Sequence, residues 1–256
     1  MSQNCWNPAQ YKLYEKERNQ PFFDLLALIQ PAEHMHAVDL GCGTGKLTCT
    51  LHHHIIADST LGIDSSSQML QEASQWQEPG ITFALNDIAN YEPKECFDLI
   101  FSNACLQWLP DHTNLFARLC SWLSPSGQMA IQMPANYDFP SHTIAAELAG
   151  EFGAFPLTPN ILSAEEYSQL LFALGFKQQL VRLQIYPLTL PSVEALIDWV
   201  KGSLLTYYQS QLSPEKFQEF VLAYRERLLK HFGNTTPLFV PFKRIFLYSR
   251  GTCTIK

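Results

Sequence analysis

The residues whose types and spacing could do chemistry are concentrated in one stretch, Asp39-Leu40-Gly41-Cys42-Gly43-Thr44-Gly45. It follows an apolar run from His36 to Leu40 that reads as a buried strand, and it leads into a helical pattern through Lys46, Leu47 and Leu51. Glycines at three alternate positions remove three Cβ atoms, so the backbone can turn tightly and approach a ligand closely. The helix that follows starts with unsatisfied N–H groups aimed at whatever occupies the turn. Cys42, inside the turn, reads as a small filler rather than a nucleophile.

The spacing is G-x-G-x-G, not the G-x-G-x-x-G of a dinucleotide fingerprint, whose third glycine serves helix–strand packing. Asp39, two residues before the first glycine, suits a ligand with a cationic, amino-acid-like end better than a pyrophosphate. A second acid lies 23 positions after Gly41, where the short apolar run Leu61-Gly62-Ile63 ends in Asp64. An acid at the end of the second strand of such a unit grips ribose hydroxyls. A sulfonium nucleoside with a methionine tail, S-adenosylmethionine, meets both demands.

These residues need a frame that brings strand ends together. From residue 36 onward strands and helices alternate, the pattern of a parallel sheet covered by helices on both faces. Strands are predicted at 36–40, 59–64, 81–86, 97–103 and 127–133, with helices at 46–54, 66–75 and 113–123 and a weaker segment at 88–95. Ligands in such sheets sit at the carboxyl ends of the strands, which nominates Asp39, Asp64, Asp87 and Asn103. Ahead of the sheet, residues 1–35 read as helical, with Pro21 favouring a break. Tyr11 and Arg18 stand seven apart on one face there.

Beyond Met133-Pro134 the pattern changes. A helix is predicted over 141–152, and Ser163-Ala164-Glu165-Glu166 is a capping box whose helix should stop at Gly175. A strand at 176–186 and helices at 192–201 and from Ser213-Pro214 follow. A last strand is expected at 242–249. The predicted architecture is α/β: a doubly wound, mostly parallel seven-stranded Rossmann-like sheet. Its organisation is an N-terminal helical flap (1–35), a cofactor-binding core (36–190), a helical lid insertion (191–235) and a final core strand (236–256).

The formal net charge of −7 and the absence of a basic stripe argue against nucleic acid. No apolar run approaches the ~20 residues of a membrane span, and no apolar leader stands at the N-terminus. Seven cysteines, with no C-x-x-C pair, read as reduced core thiols of a cytoplasmic protein. His52-His53-His54 point in different directions on a helix, so no metal site is expected.

Taken together, the sequence resembles the class I S-adenosylmethionine-dependent methyltransferases. Over nearly its full length it is similar to their trans-aconitate 2-methyltransferase family. The likeness is carried by Trp6-Asn7-Pro8 with Tyr11 and Glu17-Arg18, by the glycine motif, and by Gly62-Ile63-Asp64-Ser65-Ser66 and Asn86-Asp87-Ile88. The segment Asp98-Leu99-Ile100-Phe101-x-Asn103-Ala104-x-Leu106-Gln107-Trp108-Leu109-Pro110-Asp111-His112 is its most specific part, with Gln132-Met133-Pro134, Ile197-Asp198-Trp199-Val200 and Phe242-x-Arg244-x-Phe246 beside it.

The resemblance implies an enzyme forming a methyl ester on a small carboxylic acid such as trans-aconitate. Gly41, Gly43 and Gly45, with Cys42, would cradle the methionine end of the cofactor, near Asp39. Asp64 and Ser65 would hold the ribose, Asp87 and Ile88 would frame the adenine, and Asn103 and Ala104 would flank the methionine portion. Tyr11 and Arg18 would close over it. On the acceptor side stand Gln107, Trp108, His112, Tyr208 and Arg244. One departure concerns specificity: Leu205-Thr206-Tyr207 replaces a Leu-Arg-Pro of the family, so an arginine that could clamp a carboxylate is missing at Thr206. The pattern also resembles malonyl-carrier-protein O-methyltransferases, which would make an acyl carrier protein the partner, with Lys216, Arg225, Arg227 and Lys230 as docking charges. A non-catalytic S-adenosylmethionine-binding module is the alternative from a different class.

Overall fold

A computed structural model describes residues 15–251. Tyr11 and the Trp6-Asn7-Pro8 segment lie outside the described residues. The chain builds one seven-stranded sheet in the order β3-β2-β1-β4-β5-β7-β6. Its strands are β1 (His36–Leu40), β2 (Ser59–Asp64), β3 (Ile81–Leu85), β4 (Phe97–Asn103), β5 (Leu123–Pro134), β6 (Gln178–Leu190) and β7 (Leu238–Arg250).

The pairs β1–β2, β2–β3, β1–β4 and β4–β5 are parallel, and β7 runs antiparallel to β5. Ala37, Val38 and Leu40 on β1, and Leu99, Ile100 and Phe101 on β4, are buried regardless of alternation. That is the mark of strands covered on both faces. The order reverses between β1 and β4, so the carboxyl edge of these two strands borders the crevice where such sheets take ligands.

Helix α1 (Glu15–Leu26) runs through Pro21 without a break, which corrects the predicted interruption. Phe22, Leu25 and Leu26 are buried behind the proline, and Phe22 meets Phe101 of β4 edge-on at 5.4 Å. Packing of this apolar face outweighs the hydrogen bond that proline removes. Helices α2 (Lys46–Ile55), α3 (Ser67–Ala73) and α4 (His112–Ser121) occupy the predicted crossovers. The segment 88–95 is a turn and loop. Asp87 explains this: its carboxylate accepts from the Ala89 N–H (2.9 Å) and the Asn90 amide (3.0 Å), a local turn that competes with a helix.

The described chain divides into two units. The first contains the described residues up to 134, residues 160–184 and the described residues from 244 onward, including the glycine turn and helix α6 (Ala164–Ala173), which begins with the predicted capping box at Ser163. The second comprises 135–159 and 185–243. It carries α5 (Pro140–Phe152), α7 (Val193–Lys201), α8 (Leu204–Gln209) and α9 (Pro214–Phe232). Its interior is aromatic: Tyr208, Phe220 and Tyr224 stack in series at 4.9 and 6.3 Å, and the Tyr224 hydroxyl donates to the Ser141 carbonyl at 2.8 Å.

Cys42, Cys49, Cys96 and Cys105 are free thiols, whereas Cys120 is disulfide-bonded, which corrects the expectation that all seven are reduced. Among the described residues, no helix is long and apolar enough to cross a membrane.

Candidate cofactor and acceptor site

The three glycines of the β1–α2 turn all have left-handed backbones, with φ of 80°, 54° and 77° at Gly41, Gly43 and Gly45. They do different work. A Cβ on Gly41 would lie 2.3 Å from the Cys105 sulfur, and one on Gly45 would lie 2.7 Å from Phe83 and 2.9 Å from Ala73. Those two let the chain pack on itself. A Cβ on Gly43 would meet nothing within 4 Å among the described residues. Gly43 is therefore the position where bare backbone is left open by the described residues, a surface a ligand can approach.

Asp64 ties this open glycine to the end of β2. Its Oδ2 accepts from the Gly43 N–H and its Oδ1 from the Ser66 N–H, both at 2.9 Å. Each carboxylate oxygen has two lone pairs, so each keeps one for another donor. The turn is further stitched to β2 by the Gly41 and Cys42 N–H groups, which donate to the Ile63 carbonyl at 2.8 and 3.0 Å.

Asp39 is buried at the end of β1, where Thr48 Oγ1 donates to it at 2.6 Å. Burial pushes its pKa up to about 7, against the lowering effect of the Thr48 hydrogen bond and with a further push from Asp64. Cys42 and Cys105 lie in the same acidic surroundings. Burial first, then the two carboxylates, raises both thiols, Cys105 to about 12, so neither supplies a thiolate near neutral pH.

At the end of β4 the chain bends through Ala104, a non-glycine residue with φ 55°. Its N–H donates to the Gln132 carbonyl at 2.8 Å, and the Gln107 amide nitrogen donates to its carbonyl at 2.8 Å. Two acceptors here are buried with no partner among the described residues, Asn103 Oδ1 and Gln107 Oε1. Buried polar atoms are nearly always satisfied, so a pair of orphan acceptors at this edge marks where a donor or a cation belongs.

His112 is buried and both its ring nitrogens are engaged. Nε2 donates to the Leu106 carbonyl at 3.0 Å, and Nδ1 accepts from the Tyr167 hydroxyl. Burial holds its pKa below the usual histidine value, so the ring is neutral at pH 7. It locks the 106–108 turn from behind, while the Gln107 carbonyl is held from the side by the Asn160 amide at 3.1 Å. Trp108, on that turn, is 49% exposed. Tyr208 is fully buried in the second unit, its hydroxyl accepting from the Leu157 N–H at 3.3 Å.

Arg244 stands opposite Pro134, and Phe246 opposite Gln132, which in turn pairs with Asn103. Arg244 thus belongs to the same carboxyl edge as Asn103. Arg182 lies over the Phe246 ring at 5.1 Å. Ser65 is exposed beside Asp64, and Ile88 is buried beside the exposed Asp87. The Arg118 guanidinium holds the loop by donating to the Ala89 carbonyl at 2.7 Å and to the Ile88 carbonyl.

A methyltransferase-domain family model matches residues 37–127, the stretch from β1 into β5. The chain is 38% identical over 259 residues to a trans-aconitate 2-methyltransferase of Deinococcus radiodurans, covering 96% of this chain and 98% of that protein. It is 36% identical over 254 residues to one from Escherichia fergusonii, with the same coverage. The chain belongs to the trans-aconitate 2-methyltransferase family. The fold agrees with solved structures of much lower identity. One is the YcgJ protein of Bacillus subtilis (12% identity, TM-score 0.62, 91% of this chain and 99% of that one). Another is a Haemonchus contortus phosphoethanolamine N-methyltransferase in complex with S-adenosyl-L-methionine (17% identity, TM-score 0.56, 91% and 52%).

Like other members of this family, the protein is an S-adenosylmethionine-dependent methyltransferase, and its residues fit that cofactor. The turn and strand ends offer Asp39, two spare lone-pair positions on Asp64, and the orphan oxygens of Asn103 and Gln107. This set of acceptors suits a ligand bearing hydroxyls, an ammonium and a sulfonium. Thr48, Arg118, Tyr167 and Asn160 were not singled out from the sequence, because each acts by hydrogen-bonding a residue that was. Only Thr48 left a signal, as a hydroxyl on an otherwise apolar helix face beside Leu47 and Leu51.

Proposed function

We propose that this protein transfers a methyl group to a carboxylate of trans-aconitate, giving a methyl ester. The observation that carries the reading is end-to-end identity of 36–38% to proteins bearing that name, which spans both units and not the cofactor half alone. S-adenosylmethionine, when bound, supplies an electrophilic methyl group on its sulfonium. In this proposal Asp64 takes the ribose hydroxyls with its spare lone pairs while Gly43 gives the ligand close access to the backbone. Asp39 and Asn103 face positive charge with acceptors, Gln107 lines the acceptor side, and Asp87 and Ile88 frame the adenine.

No general base is assigned. A carboxylate is already ionised at pH 7, and the neutral, fully engaged His112 has no proton to collect. Cation and anion combine into neutral products, so excluding water and aligning the reactants supply the acceleration. Arg244 is proposed to grip distal acid groups, the task bidentate guanidinium does best, and Arg18 on α1 to close over the methionine end of the cofactor. The segment 191–235 is proposed as the selecting lid. Within it Thr206 stands where the family carries an arginine, and its hydroxyl donates to the Ser203 carbonyl at 2.5 Å. The proposed setting is the cytoplasm: four of the described cysteines are free thiols, against one, Cys120, in a disulfide.

The carrier-protein reading loses support from the proposed docking charges. Arg225 pairs with Glu194 at 2.6 Å and Arg227 with Glu151 at 2.9 Å, so half of that basic face is neutralised within the chain. The test is a panel of mono-, di- and tricarboxylates plus malonyl carrier protein, scored for methyl ester. Turnover highest with trans-aconitate is the expected result. Turnover confined to the carrier protein, or to monocarboxylates, would overturn the reading.

A further inference from the structure

The histidine run has a use that its sequence neighbours did not reveal. Cys49 and His53 are four apart on α2, so their side chains share one face. Glu78 reaches that face from the turn that leads into β3. His53 Nε2 lies 2.6 Å from Glu78 Oε1, and Cys49 Sγ lies 4.0 Å from the same oxygen. One ligand atom from each of the three residues lies within 4.8 Å of the other two.

The scaffold under this cluster is fixed. Glu78 is held by a tight turn in which the Ile81 N–H donates to its carbonyl at 2.9 Å. The neighbouring His52 pins α2 to the sheet, its Nδ1 hydrogen-bonded to Thr60 Oγ1 at 2.9 Å. Gly80 in the same turn passes so near His52 that an added Cβ would sit 2.9 Å from the imidazole.

From this geometry we infer that Cys49, His53 and Glu78 form a binding site for a divalent transition-metal ion of borderline softness, with zinc as its best match. Thiolate, imidazole and carboxylate are the three ligand types zinc takes together. Zinc–ligand bonds of about 2.0–2.3 Å put neighbouring ligand atoms about 3.2–3.8 Å apart. The Cys49–Glu78 separation needs to close by a few tenths of an ångström and the His53–Glu78 one to open, which side-chain rotation allows on a surface where His53 is 62% exposed. Binding releases the thiol proton of Cys49, which burial and Glu78 hold on more tightly than usual. The thiolate and Glu78 then balance the two charges of the ion. The fourth position faces solvent and takes a water. Such an ion would staple α2, whose first turn carries the glycine bend, to the entry of β3.

The test uses the full chain stripped of metal by chelation. Calorimetric titration with zinc chloride should give one site of micromolar or tighter affinity and a higher thermal midpoint. Cobalt(II) should give the visible bands of tetrahedral coordination and a thiolate-to-metal charge-transfer band. Cys49→Ser should abolish that charge-transfer band. It and His53→Gln should each weaken zinc by about tenfold or more, while methyl transfer in the presence of chelator stays at the parent level. No saturable binding by the parent, or affinity and charge-transfer band retained in Cys49→Ser, would overturn the inference.

Discussion

The glycine turn with Asp64 and the loop at the end of β4 are both proposed to face the ligand, yet they are built in opposite ways. In the first, backbone does the work: left-handed glycines and N–H groups anchored by one carboxylate. In the second, side chains do it. His112 braces the 106–108 turn between the Leu106 carbonyl and a tyrosine 55 residues away, and leaves the Asn103 and Gln107 oxygens unpaired among the described residues. Backbone geometry tolerates almost no substitution and is set by steric rules. A side-chain brace can be rebuilt from other residues, which suits the half of a site that must differ between acceptors.

Within the first region the comparison can be broken by separating Gly41 from Gly43. Gly41→Ala should lower unfolding free energy by about 2–5 kcal/mol, from the left-handed penalty plus overpacking against Cys105. Gly43→Ala should cost only about 1–2 kcal/mol of stability and act instead on S-adenosylmethionine affinity. Chemical denaturation and calorimetry check the pair, and equal stability losses would merge two roles that the geometry separates.

The brace is tested by Tyr167→Phe, which leaves His112 Nδ1 buried without its donor and should destabilise by about 1–3 kcal/mol. KM for the acid should rise more than KM for S-adenosylmethionine. A uniform loss of kcat with both KM values unchanged would mean that the 106–108 turn does not position the acceptor.

A pH profile sharpens the account of Asp39, whose folded pKa of about 7 lies above its ordinary value of 3.8. Below 3.8 the carboxyl is protonated in both folded and unfolded states, so it adds no pH dependence there. Between 3.8 and 7 the folded state binds the extra proton, so the ligand-free protein should lose stability as pH rises through that window. A cationic ligand favours the ionised form, so S-adenosylmethionine affinity should move the other way. It should rise by up to about tenfold per pH unit on approaching 7 from below and level off above it. Asp39→Asn should flatten both profiles. The smallest effect belongs to Tyr208→Phe, which removes one 3.3 Å contact in the second unit and should cost about 1 kcal/mol or less. A large drop in kcat there would promote Tyr208 from packing to chemistry.

What could be read in advance follows the same division. Apolar runs located all seven strands; in β1 and β4, covered on both faces, the hydrophobic signal is nearly unbroken, whereas the largely exposed β6 shows a weaker one. Asp39, Asp64 and the glycine spacing were legible because backbone chemistry is local: the residues that matter adjoin in sequence or end consecutive strands. Pro21 misled because the buried face of Phe22, Leu25 and Leu26 is tertiary information. Helix α8 left no sequence signal, since six residues span less than two turns. His112 and Tyr208 were nominated for the acceptor side by the resemblance; both are buried, and their partners, Tyr167 and Phe220, could not be read from the sequence. The Cys49–His53–Glu78 cluster stayed hidden for the same reason, as Glu78 arrives from another element.

The most direct test of the account is a calorimetric titration of S-adenosylmethionine into the parent and into Asp64→Ala. The single carboxylate at the end of β2 is held to anchor the open glycine and the ligand's sugar together, so the variant should bind more weakly by about 1–3 kcal/mol while folding with the parent's secondary structure. An Asp64→Ala protein that bound with the parent's affinity would place the nucleoside elsewhere and contradict the account at its centre.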